Sequence, residues 1–205
     1  MNTTTPSSAE TAPRFTGTFT ALVTPFREHS EGVRRSQPGH GQYFPQGFTS
    51  RNSSVDDFDS EFEEEGTHIL LDLVSNQVRA NVGIVLLGTT GESSTITAKE
   101  RTRMIRRVVS VVNREVPVMI GTGTNDTQET MDQTYEAAQE GADAALIVTP
   151  YYNRPTQTGL RNHYNAIADA SPIPIILYDV PKRTGVAMST ETILELSQHP
   201  NIAGV

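Results

Sequence analysis

The chain of 205 residues contains no cysteine and no tryptophan. The first absence excludes a disulfide scaffold, a thiolate-held zinc site and a cysteine nucleophile, so stability has to come from ordinary packing, as suits a cytoplasmic protein. There is no run of about 18 apolar residues, and Met1 to Pro13 is rich in Thr, Ser and Pro with no apolar core, so neither a membrane span nor a secretory signal is expected. Only Arg14 is basic in that region, which argues against a transit peptide. Basic residues are the minority overall, 16 against 24 acidic, and the net charge of −8 argues against nucleic acid as a partner. Much of that charge lies in one run, Asp56, Asp57, Asp59, Glu61, Glu63, Glu64 and Glu65. This run lacks the glycine and the ligand register of a calcium loop and reads as solvated charge.

Several chemistries are also missing. His29, His40, His68, His163 and His199 are scattered, so no metal site is expected. There is no GxSxG elbow, no Walker lysine and no GxGxxG turn. What remains, at 36% hydrophobic residues, suffices for one domain with a sizeable core or at most two small ones.

From Val82 onward one unit recurs about every 30 residues: a short apolar run, a Gly/Thr/Asn/Pro-rich loop, then a segment of helical period. The apolar runs start near Gly83, Pro117, Ala144, Ile173 and Ile202. Runs such as Ile84 to Leu87, Ala144 to Val148 and Ile175 to Leu177 are continuous rather than alternating, which marks strands covered on both faces, as in a parallel sheet. Thr97 and Glu100 predict a capping box, followed by an inward stripe at Met104, Ile105, Val108, Val109, Val111 and Val112. Arg101, Arg103, Arg106 and Arg107 read as the solvated face of that helix rather than an anion site. Further helices are expected over about Thr127 to Glu140, with Gly141 just past its end, Thr158 to Ala170, and Ser189 to Gln198. Strand, loop and helix in this order give right-handed crossovers and a (β/α) architecture.

One interval departs from the period. Phe19 to Val23 reads as the first strand, yet the next begins at about twice the usual spacing. Residues 27–66 are rich in Gly, Ser, Pro, Gln and acids until an amphipathic helix resumes at Leu70, Leu71, Leu73, Val74 and Val78. About 30 residues here are expected to be a disordered insertion, or a translated intron. Its aromatics, Tyr43, Phe44, Phe48, Phe58 and Phe62, read as untethered loop residues or as a docking element. The expected organisation is a tail over 1–14 and a partial barrel over 15–205 that contains this insertion.

In a parallel α/β barrel the active site forms from loops at the C-terminal strand ends. Four such loops are polar: Gly88-Thr89-Thr90-Gly91-Glu92-Ser93, Gly121-Thr122-Gly123-Thr124-Asn125-Asp126, Thr149-Pro150-Tyr151-Tyr152-Asn153-Arg154-Pro155, and Tyr178-Asp179-Val180-Pro181-Lys182-Arg183-Thr184-Gly185. The first is a turn whose hydroxyls and free N–H groups suit a small carboxylate, or simply a turn. Arg183 offers a bidentate fork to a carboxylate. Tyr152 and Tyr178 could pass protons if coupled to a third hydroxyl such as Thr89, or could serve only as packing.

Taken together, three of these loops and the opening Thr18-Phe19-Thr20-Ala21-Leu22-Val23-Thr24-Pro25-Phe26 resemble the pyruvate-dependent class I aldolase and N-acetylneuraminate lyase family, nearest its dihydrodipicolinate synthase (4-hydroxy-tetrahydrodipicolinate synthase) branch. The resemblance implies an incomplete (β/α)8 TIM barrel holding strands one to six. It implies a lyase of lysine (diaminopimelate) biosynthesis in which pyruvate, as a Schiff base on a lysine, condenses with aspartate β-semialdehyde without a cofactor or metal. Thr89 and Thr90 would hold the pyruvate carboxylate, and Thr89 would also link Tyr178, the acid/base, to Tyr152 acting in a neighbouring subunit. Arg183 would orient the relay and the aldehyde's carboxylate. The Thr-Thr pair favours this branch over the sialic-acid lyase, hydroxy-oxoglutarate and sugar-acid aldolases, which stay as alternatives. Ser93, Asn125, Glu129 and Tyr151 match the family's lysine-feedback site, and a homo-oligomer, dimer or tetramer, is implied. Asp179 stands where the family often has Asn. The Schiff-base lysine would follow Val205, so on this reading the 205-residue form is inactive, or is a non-catalytic fragment or degenerate subunit.

Overall fold

The computed structural model describes residues 17–24 and 64–205; the tail over 1–14 and nearly all of the proposed insertion over 27–66 lie outside the described residues. Six parallel strands form one sheet in strictly sequential order: β1 (Phe19–Ala21), β2 (Gly83–Leu86), β3 (Val118–Gly121), β4 (Ala144–Val148), β5 (Ile175–Tyr178) and β6 (Ile202–Gly204). Between them run α1 (Glu64–Arg79), α2 (Ala98–Val112), α3 (Thr127–Gln139), α4 (Gln157–Ala170), a short α5 (Pro181–Thr184) and α6 (Thr190–Leu196). Sequential parallel order with intervening helices is the arrangement of a (β/α) barrel, here with six of its eight strands.

Register explains the continuous apolar runs. Ile84 pairs with Val118, Leu86 with Ile120, Ala145 with Ile175 and Ile147 with Leu177. These residues are buried under the helices, in one cluster around α1, α2 and β2 and another around α4, α6 and β5. Val85, Met119 and Ala144 alternate with them and pack on the other face with Phe19, Leu146 and Ile176. Both faces of each strand are thus apolar. Each Leu or Ile so buried contributes about 1.5–3 kcal/mol of transfer free energy, which is what holds short strands in a parallel sheet. Gly83 lets the Phe19 ring of the paired strand β1 pack against it, since a Cβ there would lie 2.5 Å from that ring.

The helix signals behave as their chemistry requires. The Thr97 hydroxyl accepts from the Glu100 N–H at 3.3 Å while the Glu100 carboxylate accepts from the Thr97 N–H at 2.8 Å, a full capping box. Asp126, Thr156 and Ser189 cap α3, α4 and α6 in the same sense. Gly141 follows α3 at φ 93, the left-handed position for which a glycine is suited.

Four expectations are corrected. β5 starts at Ile175 rather than Ile173, since Pro172 and Pro174 have no N–H for a ladder. β1 ends at Ala21, and Val23 is half exposed. Residues 181–184, read as loop, form the single turn α5, with Pro181 in its first turn and Gly185 ending it at φ 76. Arg101 is not on a solvated face: burial holds its guanidinium below the usual arginine range, opposed by the carboxylates of Glu136 and Glu129 and by Tyr151. Its Nη1 donates to Gln133 Oε1 at 2.5 Å. Arg106 does face solvent, and pairs with Glu140 at 2.8 Å.

Candidate functional site

The C-terminal strand ends converge on a cleft of about 500 Å³ lined by, among others, Thr89, Ser93, Glu129, Tyr151 and Arg183. The turn after β2 begins at Leu87, itself left-handed at φ 58, and closes through Gly91 N–H to Gly88 C=O at 3.1 Å and Glu92 N–H to Thr89 C=O at 3.1 Å. The Thr24 hydroxyl donates to the Gly91 carbonyl at 2.6 Å, fastening this turn to the strand end of β1. Gly91 is buried there, and an added Cβ would lie 3.2 Å from the Leu22 carbonyl oxygen.

Tyr178 closes β5 in the inner register set by Ile176. Its hydroxyl lies 3.4 Å from that of Thr89, so the two can share a proton in either direction. Three further bonds fix the Tyr178 backbone and the turn beyond it. The Tyr178 carbonyl accepts from the Thr149 N–H at 3.0 Å and from its hydroxyl at 3.4 Å, and Thr149 also donates to the buried Thr184 hydroxyl. The Thr184 hydroxyl in turn donates to the Val186 carbonyl at 2.9 Å. This chain of hydroxyls sets α5, and with it Arg183, beside the cleft.

The residues singled out from the sequence separate into two groups. Thr89, Tyr178 and Arg183 come together, as do Ser93, Glu129 and Tyr151. Thr90 is exposed and does not line the cleft. Asn125 does not line it either; its carbonyl accepts from Asn153 Nδ2 at 3.2 Å. Tyr152 is 88% exposed and φ 69 turns it outward. Asp179 accepts the Met188 N–H at 3.3 Å through Oδ2, while its buried Oδ1 has no partner.

Sequence reading missed Arg101 and Gln133, which share the cleft wall with Glu129. Gln133 Nε2 donates to Glu129 Oε1 at 2.9 Å, so Arg101, Gln133 and Glu129 form one connected line. Their signal was position: Arg101 sits in the first turn of α2, and the first turn of a helix in a β/α unit lies beside the loop that leads into it. Among the described residues no three His, Asp or Glu side chains gather as a metal site, and no described helix is long and apolar enough to cross a membrane.

With this geometry in place, comparison with known proteins is specific. The profile of the Dihydrodipicolinate synthetase family matches residues 57–205. A 4-hydroxy-tetrahydrodipicolinate synthase of Coxiella burnetii is 52% identical over 123 residues, covering 60% of this chain and 43% of that one. The crystal structure of the chloride-inhibited dihydrodipicolinate synthase of Acinetobacter baumannii complexed with pyruvate superposes with a TM-score of 0.72 at 39% identity, covering 92% of this chain and 54% of that chain. The enzyme from Cyanidioschyzon merolae with lysine bound gives 0.64 at 39% identity, over 66% and 47%. The chain spans about half the length of the curated relatives it matches.

Proposed function

The chain belongs to the dihydrodipicolinate synthetase family, and from that premise we propose that it carries the pyruvate grip and proton relay of a Schiff-base lyase that condenses pyruvate with aspartate β-semialdehyde. The observation that carries the reading is the contact of 3.4 Å between the Tyr178 hydroxyl and that of Thr89, which lines the cleft. A tyrosine with no charged partner is a weak acid, but one coupled to a second hydroxyl can hand a proton on and recover it without meeting bulk water. Thr89, with the backbone N–H groups of the turn, receives the pyruvate carboxylate, while Thr90, expected to share that grip, lies outside the cleft lining. Tyr178 acts as general acid on the carbinolamine hydroxyl, which leaves as water as the imine forms, and recovers the proton through Thr89. Arg183, exposed and with no ion pair among the described residues, serves the relay and the aldehyde's carboxylate.

The exposure of Tyr152 supports its use outside its own subunit, in a second copy of the chain. Ser93, Glu129 and Tyr151, with Asn125 nearby in sequence, are the proposed effector site for lysine. Arg101, whose guanidinium feels the charges of Glu136 and Glu129, lies on the same wall, so a diamine would meet a cation there.

The test is covalent chemistry. Incubation of the 205-residue protein with pyruvate and borohydride is expected to leave its mass unchanged while pyruvate shifts the amide spectrum of the 88–93 turn. A stoichiometric adduct contradicts the assignment of the Schiff-base amine to a lysine beyond Val205; an unperturbed turn contradicts the pyruvate grip.

A further inference from the structure

Arg183 sits on a loop that apolar packing holds only lightly. Over residues 181–188 only Thr184 and Met188 are buried, while Pro181, Lys182, Arg183, Gly185 and Ala187 are exposed. The position of such a segment rests on hydrogen bonds that reach it from outside. Its outgoing limb is α5, held by the buried hydroxyls of Thr149 and Thr184. Its return limb, 187–189, belongs to no strand of the sheet, and two side chains from different elements supply the bonds that a ladder would.

Gln157, the first residue of α4, uses both ends of its amide on this limb. Its Nε2 donates to the Ala187 carbonyl at 2.9 Å, and its Oε1 accepts from the Ser189 N–H at 2.9 Å. Asp179, one residue past β5, takes the N–H between them, its Oδ2 accepting from Met188 at 3.3 Å. The limb is thus gripped from α4 and from the end of β5 together. The Asp179 bond also closes the chain on itself, so the loop that bears Arg183 returns to the strand that bears Tyr178. A primary amide alone offers a donor and an acceptor from one fork, which is what the Ala187 carbonyl and the Ser189 N–H require. Asp179 makes its bond although its Oδ1 stays buried without a partner, an arrangement that is costly in itself.

We infer that Asp179 and Gln157 are positioning residues for Arg183: they act by fixing the loop from which it lines the cleft. A group that grips its ligand from an exposed loop loses much of its effect when the loop samples several positions, because each binding event then includes ordering the loop. The functional consequence rests on the role given to Arg183 in the lyase reading, to which the inference adds the residues that hold it in place.

The experiment follows amide exchange and ligand binding by nuclear magnetic resonance in the whole 205-residue chain. The probes are pyruvate and 4-hydroxybutyrate, a carboxylate without a reactive aldehyde. The Arg183, Thr184 and Gly185 N–H groups donate to the Val180 and Pro181 carbonyls, so their exchange reports on the loop. Asp179→Ala and Gln157→Ala are each expected to speed that exchange about tenfold and to leave strand amides such as Ile120 and Leu177 unchanged. With pyruvate saturating, both are expected to weaken 4-hydroxybutyrate binding roughly fivefold and to keep pyruvate affinity within about twofold. Asp179→Asn, whose amide oxygen can still accept from Met188, is expected to match wild type. Gln157→Glu adds a pH profile: ionised, it sets an oxygen against the Ala187 carbonyl and matches Gln157→Ala at about pH 8, whereas protonated it donates again and recovers as pH falls towards about 5. Unchanged loop amides, faster exchange spread equally over the sheet, or a Gln157→Glu variant without pH dependence overturns the inference. So do loosened loop amides with 4-hydroxybutyrate binding intact. A wild-type chain that binds pyruvate but not 4-hydroxybutyrate overturns the role given to Arg183, and binding of neither overturns the lyase reading; in both cases the exchange data alone decide whether the two residues hold the Arg183 loop.

Discussion

The Thr89 and Tyr178 hydroxyls meet at 3.4 Å although they close different strands, β2 and β5, with two strands between them in the sheet. A contact of this kind depends on the whole intervening sheet holding its register, so it reports on fold and site at once.

Removing either hydroxyl should separate the two roles. In a form of the protein that turns over pyruvate, Tyr178→Phe is expected to keep pyruvate binding and lose about 10²-fold or more in kcat, the size of a lost general acid/base. Thr89→Val is expected to raise the pyruvate KM as well, because its hydroxyl also lines the cleft. Steady-state kinetics on the two variants check the split, and an unchanged kcat in Tyr178→Phe removes that residue from the relay.

Close backbone packing at the site predicts a second effect. A Cβ at Gly123 would overlap the Val148 backbone nitrogen and lie 3.0 Å from Ile147 Cα, and neither can swing aside as a side chain would. Gly123→Ala is therefore expected to cost about 1–3 kcal/mol or more, read as a lowered urea midpoint, and to distort the cleft wall that Gly123 forms.

His163 gives a pH signature. It is 6% exposed, its Nδ1 is 2.9 Å from the Thr127 hydroxyl, and its Nε2 has no partner. Burial lowers its pKa from 6.5 to about 4, against the opposing pull of Asp126. The unfolded chain thus binds a proton here before the folded one does, so stability is full above about pH 6.5 and is lost as pH falls from there towards 4. The loss is on the order of 3 kcal/mol. The difference in unfolding free energy between wild type and His163→Gln, measured across that window, should show this slope; a constant difference contradicts it.

The capping box of α2 offers a smaller test. Thr97→Ala removes the hydroxyl that accepts from the Glu100 N–H and is expected to cost about 1 kcal/mol, with no change in pyruvate binding. Chemical denaturation checks the first statement and titration the second.

These expectations draw on features that differ in how far the sequence disclosed them. The apolar run at 84–87, the Thr97 and Glu100 pair and Gly141 were readable because each acts within a few residues of itself, through pleat, cap or left-handed φ. The four loops were readable for the same reason, and the period between them placed them at one end of the sheet. The side-chain line from Arg101 through Gln133 to Glu129 was not, since it joins two helices whose relative rotation is set by packing. Helical period alone put Arg101 outside the apolar stripe, but a residue outside the stripe in a first turn still faces the neighbouring loop. Likewise Thr90, adjacent to Thr89, turns to solvent because the tight turn at Gly88 to Gly91 points successive side chains in different directions.

The pairing of strands with their immediate successors also orders events in time. Ile84 meets Val118, Met119 meets Ala144 and Ala145 meets Ile175 over similar stretches of chain, whereas Phe19 meets Gly83 across roughly twice that length. Closing the longer loop costs only about 0.6 kcal/mol more, yet β1 has just three residues with which to offset it. Each later unit can assemble on its predecessor by short-range encounters, the condition for rapid folding. β1, which carries Thr24 to its bond with the Gly91 carbonyl, is then the last strand to dock and the first to leave. The turn that bears Thr89 would be completed only at the final step, and amide exchange should find β1 the least protected edge of an otherwise firm sheet.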